Sequence, residues 1–77
     1  MMMKESDLLL GSTMKQYRKK CRMTQDSVSK IVGCSKYTIS RLENGNTHCD
    51  DGFIMKLCDI YGESYVETMK EIYSKMS

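Results

Sequence analysis

The residues with the strongest metal-binding and nucleophilic chemistry in this 77-residue chain are four cysteines and one histidine. Cys21, Cys34, Cys49 and Cys58 are separated by 12, 14 and 8 residues, and His48 directly precedes Cys49. A structural zinc site usually takes its ligands in closely spaced pairs, because one turn then supplies two thiolates at tetrahedral geometry. No such pair occurs in the sequence, so we expect no metal and no cofactor.

The cysteines have two further roles open to them. The region around Lys4 lacks the apolar core of a secretory signal, which argues against a disulfide framework. We therefore expect Cys21, Cys34 and Cys58 to be buried as small hydrophobic residues. Cys49 lies in a polar stretch and is expected to carry an exposed thiol, which leaves a thiol or metal sensor open as an alternative function. The sequence shows no nucleophile–base pair and no phosphate-cradling loop, so we expect no enzyme.

The net charge of +2 hides an uneven distribution of charge along the chain. Residues 1–41 hold nine Lys or Arg against three acids, whereas residues 42–77 hold three Lys against seven acids. A basic half joined to an acidic half indicates one face suited to a polyanion. Runs of strongly apolar residues are no longer than Leu8 to Leu10, so we expect no membrane segment and a cytoplasmic protein.

Five short helices separated by polar turns are predicted from the spacing of apolar residues. No segment as long as a strand alternates between apolar and polar residues, so the predicted fold class is all-α. We expect a single domain over residues 1–77, with residues 1–7 disordered or frayed and a last helix over residues 63–75. The residues expected to begin or end the intervening helices are Thr24, Gly33, Ser35, Asn44 with Gly45, Asp50 or Asp51, and Gly62.

The third of these helices, over residues 35–43, has two different sides. At about 3.6 residues per turn, Ile39 and Leu42 fall on one side and are expected to face the core. The opposite side is polar and can enter the major groove of DNA, where Arg or Lys binds the O6 and N7 acceptors of guanine. An ordinary solvated helix face is the alternative. The polar side consists of Lys36, Tyr37, Ser40, Arg41 and Asn44.

Three motifs give the chain its resemblance to a known family. Thr24-Gln25 is followed by Gly33, and residues 39–45 read Ile-Ser-Arg-Leu-Glu-Asn-Gly. Only about three residues join the two helices that flank Gly33, which is the geometry of a helix-turn-helix. With these motifs, the region from Leu10 to Met69 resembles the phage-repressor and Cro type of helix-turn-helix domain in the XRE family of transcriptional regulators. The resemblance implies a compact five-helix, lambda-repressor-like DNA-binding domain.

The resemblance also implies roles for individual positions. Arg18 and Glu43 match a structural ion pair between the first helix and the end of the third, although two unrelated surface charges are the simpler alternative. His48 follows in the loop, where a solvated side chain is the simpler interpretation. The residues that match base-reading positions are Lys36, Tyr37 and Arg41. Those that match phosphate or supporting contacts are Gln25, Thr38, Ser40, Asn44, Asn46 and Thr47.

The sequence departs from the family pattern at four positions. Arg22 replaces a common Gly, and Ser29 replaces the usual Ala where two helices touch, so its hydroxyl needs a backbone carbonyl. Cys49 stands where a Pro often follows the loop, and Asp51 where an apolar residue usually opens the fourth helix. We expect these changes to alter the course of the loop and to leave the third helix intact.

The last helix carries apolar residues beyond what one small core needs. Helix-turn-helix domains usually pair over half-sites about 34 Å apart, and we expect a homodimer that binds a palindromic operator in double-stranded DNA. The expected function is that of a small transcriptional repressor without a small-molecule site. The alternatives are a last helix that packs only on its own domain, and an antitoxin-like module that uses the same fold to sequester a protein. The dimer candidates are Tyr65, Met69, Ile72, Tyr73 and Met76.

Overall fold

The computed structural model describes residues 4–76, which form five α-helices and no strand. They are α1 (Glu5–Lys20), α2 (Gln25–Val32), α3 (Lys36–Glu43), α4 (Asp51–Tyr61) and α5 (Tyr65–Lys75). This confirms the predicted all-α class. α1 begins at Glu5, so residues 5–7 are helical where a frayed segment was expected; residues 1–3 of that segment lie outside the described residues. Glu5 and Asp7 place negative charge in the first turn, where the helix dipole favours it.

Side-chain caps fix where the later helices begin. Thr24 Oγ1 accepts a hydrogen bond from the backbone N–H of Ser27, and the Ser27 hydroxyl accepts one from the Thr24 N–H, which completes a capping box. Ser35 and Asp50 accept the corresponding bonds at α3 and α4. Ser64 does the same at α5, and this helix therefore begins at Tyr65, two residues later than predicted.

The buried apolar side chains of all five helices form one core. α3 contributes two of them, and α4 contributes four because one whole side of that helix is covered. Burial of such side chains is the main favourable contribution to folding. The buried apolar residues are Leu10, Met14, Val28, Ile39, Leu42, Ile54, Leu57, Cys58, Tyr61 and Ile72.

Three of the four cysteines are placed differently from what the sequence predicted. Cys58 is buried in the core as expected, and Cys34 is half-buried. Cys21 is exposed, because it caps the end of α1 instead of continuing the apolar stripe into the core. Cys49 was expected to be exposed and is half-buried against the core, where burial raises the pKa of its thiol.

α1 and α3 approach each other closely at Gly11. A Cβ atom at this position would overlap the carbonyl oxygen of Leu42 and would lie 3.0 Å from the carbonyl oxygen of Glu43. Glycine is therefore needed for contact between the middle of α1 and the end of α3. The approach brings Arg18, two turns further along α1, within reach of Glu43.

Arg18 and Glu43 form an ion pair in the position that the resemblance implied. The Nε atom of Arg18 lies 2.7 Å from Oε2 of Glu43, and its Nη2 atom lies 3.1 Å from Oε1. Nη1 donates to the carbonyl of Met23 at 2.8 Å, and Gln25 Nε2 donates to Glu43 Oε1 at 3.0 Å. The side chain of Glu43 is only 1% exposed, and its hydrogen bond raises the pKa of Arg18. One carboxylate thus joins α1, α2 and α3.

Two of the departures from the family pattern have a structural account. The Ser29 hydroxyl donates to the carbonyl oxygen of Asp26 at 2.7 Å, so it finds the backbone partner that its burial requires. Arg22 has a φ of 58°, a left-handed conformation that glycine adopts at little cost. The usual glycine at this position is therefore explained by backbone geometry, and Arg22 holds that geometry at some cost in free energy.

The buried ion pair generates the first prediction. Replacing Glu43 by Gln should lower the free energy of unfolding by about 3 kcal/mol, because it leaves the Arg18 guanidinium buried opposite a neutral amide. The matched control is Glu67→Gln, which disrupts an exposed pair with Lys70 (3.8 Å) and should cost less than about 0.5 kcal/mol. Urea denaturation measures both, and equal losses in the two variants would contradict the buttressing role.

A second prediction concerns Gly11. Replacing it by Ala should lower the free energy of unfolding by about 1–3 kcal/mol, because the added methyl forces α1 away from Leu42. The sign is informative, since Ala is otherwise favoured over Gly by about 1 kcal/mol inside a helix. Ser12→Ala, at the exposed neighbouring position, is the control and should leave stability nearly unchanged. A thermal melt in which Gly11→Ala is the more stable protein would refute the close contact.

Candidate nucleic-acid interface

α3 lies on the surface with its polar side outward. Ile39 and Leu42 are 1% and 2% exposed on the inner side, whereas Tyr37 is 67% exposed on the outer side. Lys36 and Arg41 are exposed with it. The Lys36 ammonium lies 5.7 Å from the centre of the Tyr37 ring, a cation–π contact on the outer face of α3. The three side chains expected to read bases are therefore brought together at the surface and outside the core.

The charges on this face have no acidic partners of their own. Over residues 4–76, neither Lys36 nor Arg41 lies within 4.0 Å of a carboxylate oxygen. By contrast, Lys30, Lys70 and Lys75 each pair with an acid of their own helix. Lys36 and Arg41 thus present uncompensated positive charge, which attracts an anionic ligand.

The expected supporting residues are placed around α3 with different exposure. Thr38 and Ser40 are half-buried, and the Thr38 hydroxyl lies 3.4 Å from that of Ser35. Gln25 lies at the first position of α2, where its amide donates one hydrogen bond to Glu43. An amide group has two N–H donors and one acceptor, so Gln25 keeps polar atoms for a further partner.

The loop after α3 turns back beside the end of the helix. Gly45 has a φ of 74°, and its N–H donates to the carbonyl of Leu42 at 3.0 Å. The N–H of Asn46 donates to the carbonyl of Arg41 at 2.9 Å, which completes the left-handed C-terminal cap. Asn44 and Asn46 are exposed and Thr47 is half-buried. Polar side chains of the loop therefore lie directly beyond the end of α3.

The sequence suggested that His48 is simply solvated, but the structure gives it a partner. Its Nδ1 atom lies 3.0 Å from Oδ1 of Asp7 in the first turn of α1. Sequence reasoning gave Asp7 no role, because 41 positions separate the two residues and no local pattern connects them.

The dimer candidates on α5 divide into two groups. Ile72 is 1% exposed and belongs to the core of its own domain, so its assignment to a dimer surface was wrong. Tyr73 is 63% exposed, and Tyr65, Met69 and Met76 are half-buried. Val66, 58% exposed, was missed because the apolar stripe was drawn through the buried side of the helix. A shallow groove is lined by Asp51, Tyr65, Val66, Met69, Lys70 and Tyr73.

The described residues contain neither a metal-binding cluster nor a membrane-spanning helix. Within residues 4–76, no three His, Cys, Asp or Glu side chains are grouped so that they could hold a metal ion. None of the helices in the same range combines the length and the apolar character needed to cross a bilayer.

Comparison with known proteins identifies the family. A family model described as a helix-turn-helix domain matches residues 9–69. The antitoxin PezA of Streptococcus pneumoniae serotype 4 is 33% identical over 63 residues, which make up 82% of this chain and 40% of PezA, so the chain spans well under half of that relative. The crystal structure of the clp gene regulator ClgR from C. glutamicum has the same fold, with a TM-score of 0.81 and 19% identity over 94% of both chains. Because the family model covers most of the chain, this protein belongs to the helix-turn-helix domain family and is of the XRE-like type that its motifs resemble.

Proposed function

We propose that this protein binds double-stranded DNA at specific sequences and acts as a small transcriptional repressor. The observation that carries the proposal is the outer face of α3, where Lys36, Tyr37 and Arg41 are exposed while the inner face of the same helix is fixed in the core. A helix held in this way fits the major groove of B-DNA, which is wide enough to admit it.

The chemistry of the three side chains suits base recognition. The planar guanidinium of Arg41 can donate two parallel hydrogen bonds to O6 and N7 of one guanine. Lys36 can donate to the same acceptors of a neighbouring guanine. The ring of Tyr37 offers apolar contact to a thymine methyl and a hydroxyl for a hydrogen bond. The helix therefore carries donors matched to G·C pairs and an apolar surface matched to A·T pairs.

Contacts to the sugar-phosphate chain would set the position of α3 in the groove. Such contacts carry no sequence information directly, but they fix the register and the angle of the reading helix. Gln25 at the start of α2 and the loop residues Asn44, Asn46 and Thr47 supply neutral donors on the two sides of α3. Thr38 and Ser40 are half-buried and are suited to short contacts from α3 itself.

We further propose that two copies associate through the groove on α5 and bind a palindromic operator. Tyr73 and Val66 leave a large apolar area in water, and such areas commonly mark an association surface. Asp51 and Lys70 line the same groove, so a two-fold contact would bring each copy's acid towards the other copy's base. Two linked reading helices would multiply the small affinity of one unit.

An antitoxin-like module is the second candidate function, and the similarity to PezA is the observation that favours it. In this alternative, the exposed apolar residues of α4 and α5 contact a protein partner in place of a second copy. Met55, Val66 and Tyr73 are at least half exposed and would provide that surface. DNA binding by α3 is compatible with this function but is not required by it.

Selection of binding sites from a random DNA pool tests the main proposal, and Arg41 provides the sharp variant. On the selected site, replacing Arg41 by Ala should cost about 1–3 kcal/mol and should relax the preference at one base pair of each half-site. Lys56→Ala on α4 removes the same charge from another helix and serves as the control, with preference unchanged at every position. An Arg41→Ala protein that keeps both affinity and preference would disprove the reading role.

The dimer is tested by light scattering at micromolar concentration. We expect a species of about twice the 8.9 kDa chain mass, and a palindromic consensus in the selected DNA. Tyr73→Glu should shift the mass towards the monomer, because it places a charge in the apolar contact. Ile31→Glu is a control at an exposed apolar residue of α2, outside the groove, and should leave the mass unchanged. A clean 8.9 kDa species for the unmodified protein would rule out the dimer.

A further inference from the structure

His48, the single histidine of the chain, forms a pair with Asp7, which is the more buried of the two. The side chain of His48 is 72% exposed, whereas that of Asp7 is 13% exposed. Nδ1 of the imidazole faces the carboxylate at 3.0 Å. The opposite edge of the ring, which carries Nε2, is therefore the edge available to a ligand.

α1 holds the loop of His48 at a second point. Gly45 packs so tightly on α1 that a Cβ atom would lie 2.7 Å from Cδ2 of Leu8. Asp7 and Leu8 are consecutive in α1, and they contact the two ends of the segment from Gly45 to His48. This segment, which contains the proposed phosphate contacts Asn46 and Thr47, is thus fixed before any DNA binds.

We propose that His48 binds a DNA phosphate only in its protonated form, with Asp7 as the positioning residue, so that DNA affinity rises as the pH falls. The inference rests on the proposed DNA-binding function and deepens it. It adds His48 to the proposed phosphate contacts Asn46 and Thr47 in the loop after α3. Only the contact of His48 would depend on a proton.

The dependence follows from counting the protons on the imidazole ring. A carboxylate only accepts hydrogen bonds, so Nδ1 must be the donor towards Asp7. In the neutral ring Nε2 then carries a lone pair, which repels a phosphate oxygen. In the imidazolium Nε2 carries a second proton and donates a charge-assisted hydrogen bond to phosphate. Asp7 therefore excludes the neutral form of His48 that could otherwise have donated from Nε2.

The other groups around His48 do not produce the same pH dependence. Asp7 from α1, Asp51 from α4, Tyr73 from α5 and Cys49 from the same loop line one cleft with the histidine. Histidine is the side-chain type that ordinarily changes its charge between about pH 5 and 8. Burial raises the pKa of Cys49 and keeps its thiol neutral in that range. A pH effect on affinity that is lost in His48→Gln is therefore assignable to His48.

The test measures dissociation constants on the selected DNA site at about pH 5.5 and about pH 8, on either side of histidine titration. We expect the unmodified protein to bind about fivefold more tightly at the lower pH, the size of one exposed ionic contact. The salt dependence of the logarithm of affinity should also steepen by about 0.9 per chain. His48→Gln should match the unmodified protein at the higher pH and should show neither change.

The role of Asp7 is separated from a general charge effect by a matched pair of variants. Asp7→Asn and Asp59→Asn each remove one negative charge, and Asp59 lies exposed on α4 away from the cleft. Asp59→Asn should keep the fivefold ratio between the two pH values, whereas Asp7→Asn should reduce it. Circular dichroism checks that each variant is folded.

A second readout needs no comparison of affinities. The imidazole signals in an NMR spectrum belong to His48 alone, because the sequence contains one histidine. DNA that prefers the protonated ring about fivefold must raise the midpoint of this titration by about 0.7 pH units, the logarithm of that ratio. An unchanged midpoint overturns the inference.

The outcomes for the two proposals are distinct. Binding that is sequence-specific but equally tight at both pH values, in the unmodified protein and in His48→Gln alike, overturns the role of His48 and leaves base reading by α3 standing. Failure to enrich any site at either pH overturns the proposed DNA-binding function and this inference with it.

Discussion

The arrangement of the first three helices depends on one buried carboxylate. Glu43 accepts hydrogen bonds from Nε and Nη2 of Arg18 and from the amide of Gln25, so every donor that faces it comes from a different helix than its own. Removing a carboxylate and a guanidinium from water is costly, and only good geometry with several hydrogen bonds offsets that cost. The pair is therefore stable in one relative placement of α1, α2 and α3. This placement sets the orientation of α3 on the surface of the domain.

The length of α3 explains why such a constraint is needed. Isolated helices shorter than about 12–15 residues are marginal in water, and α3 has eight residues with two apolar side chains in the core. Apolar residues on its outer side would add stability only if they were buried, and that side would then no longer be a polar surface. Contacts at its two ends add to this stability: the Ser35 cap at the start, and the close approach of Gly11 to Leu42 and Glu43 at the finish.

The sequence predicted what is encoded locally. Spacing of apolar residues gave the five helices, and short polar residues such as Thr24 and Ser35 marked helix starts because their side chains reach the third N–H of the following turn. Apart from the Arg18–Glu43 pair, which the family resemblance implied, the sequence did not predict contacts between distant segments. Cys21 is exposed and Ile72 is buried because of where the neighbouring helices begin and end. The spacing of apolar residues within one helix does not show how much of its apolar side a neighbouring helix covers.

The contact between Asp7 and His48 belongs to the same class of unpredictable feature, and it separates two properties of the proposed DNA complex. The hydrogen bonds proposed to choose the sequence come from Lys36 and Arg41 on α3, whereas the proton-dependent contact comes from His48 in the loop. A phosphate contact carries no sequence information, and its gain or loss alters affinity for all sites nearly alike. A proton on His48 would therefore change how much DNA is occupied without changing which sequence is preferred, because α1 holds the loop and the Arg18–Glu43 pair holds the reading helix through separate contacts.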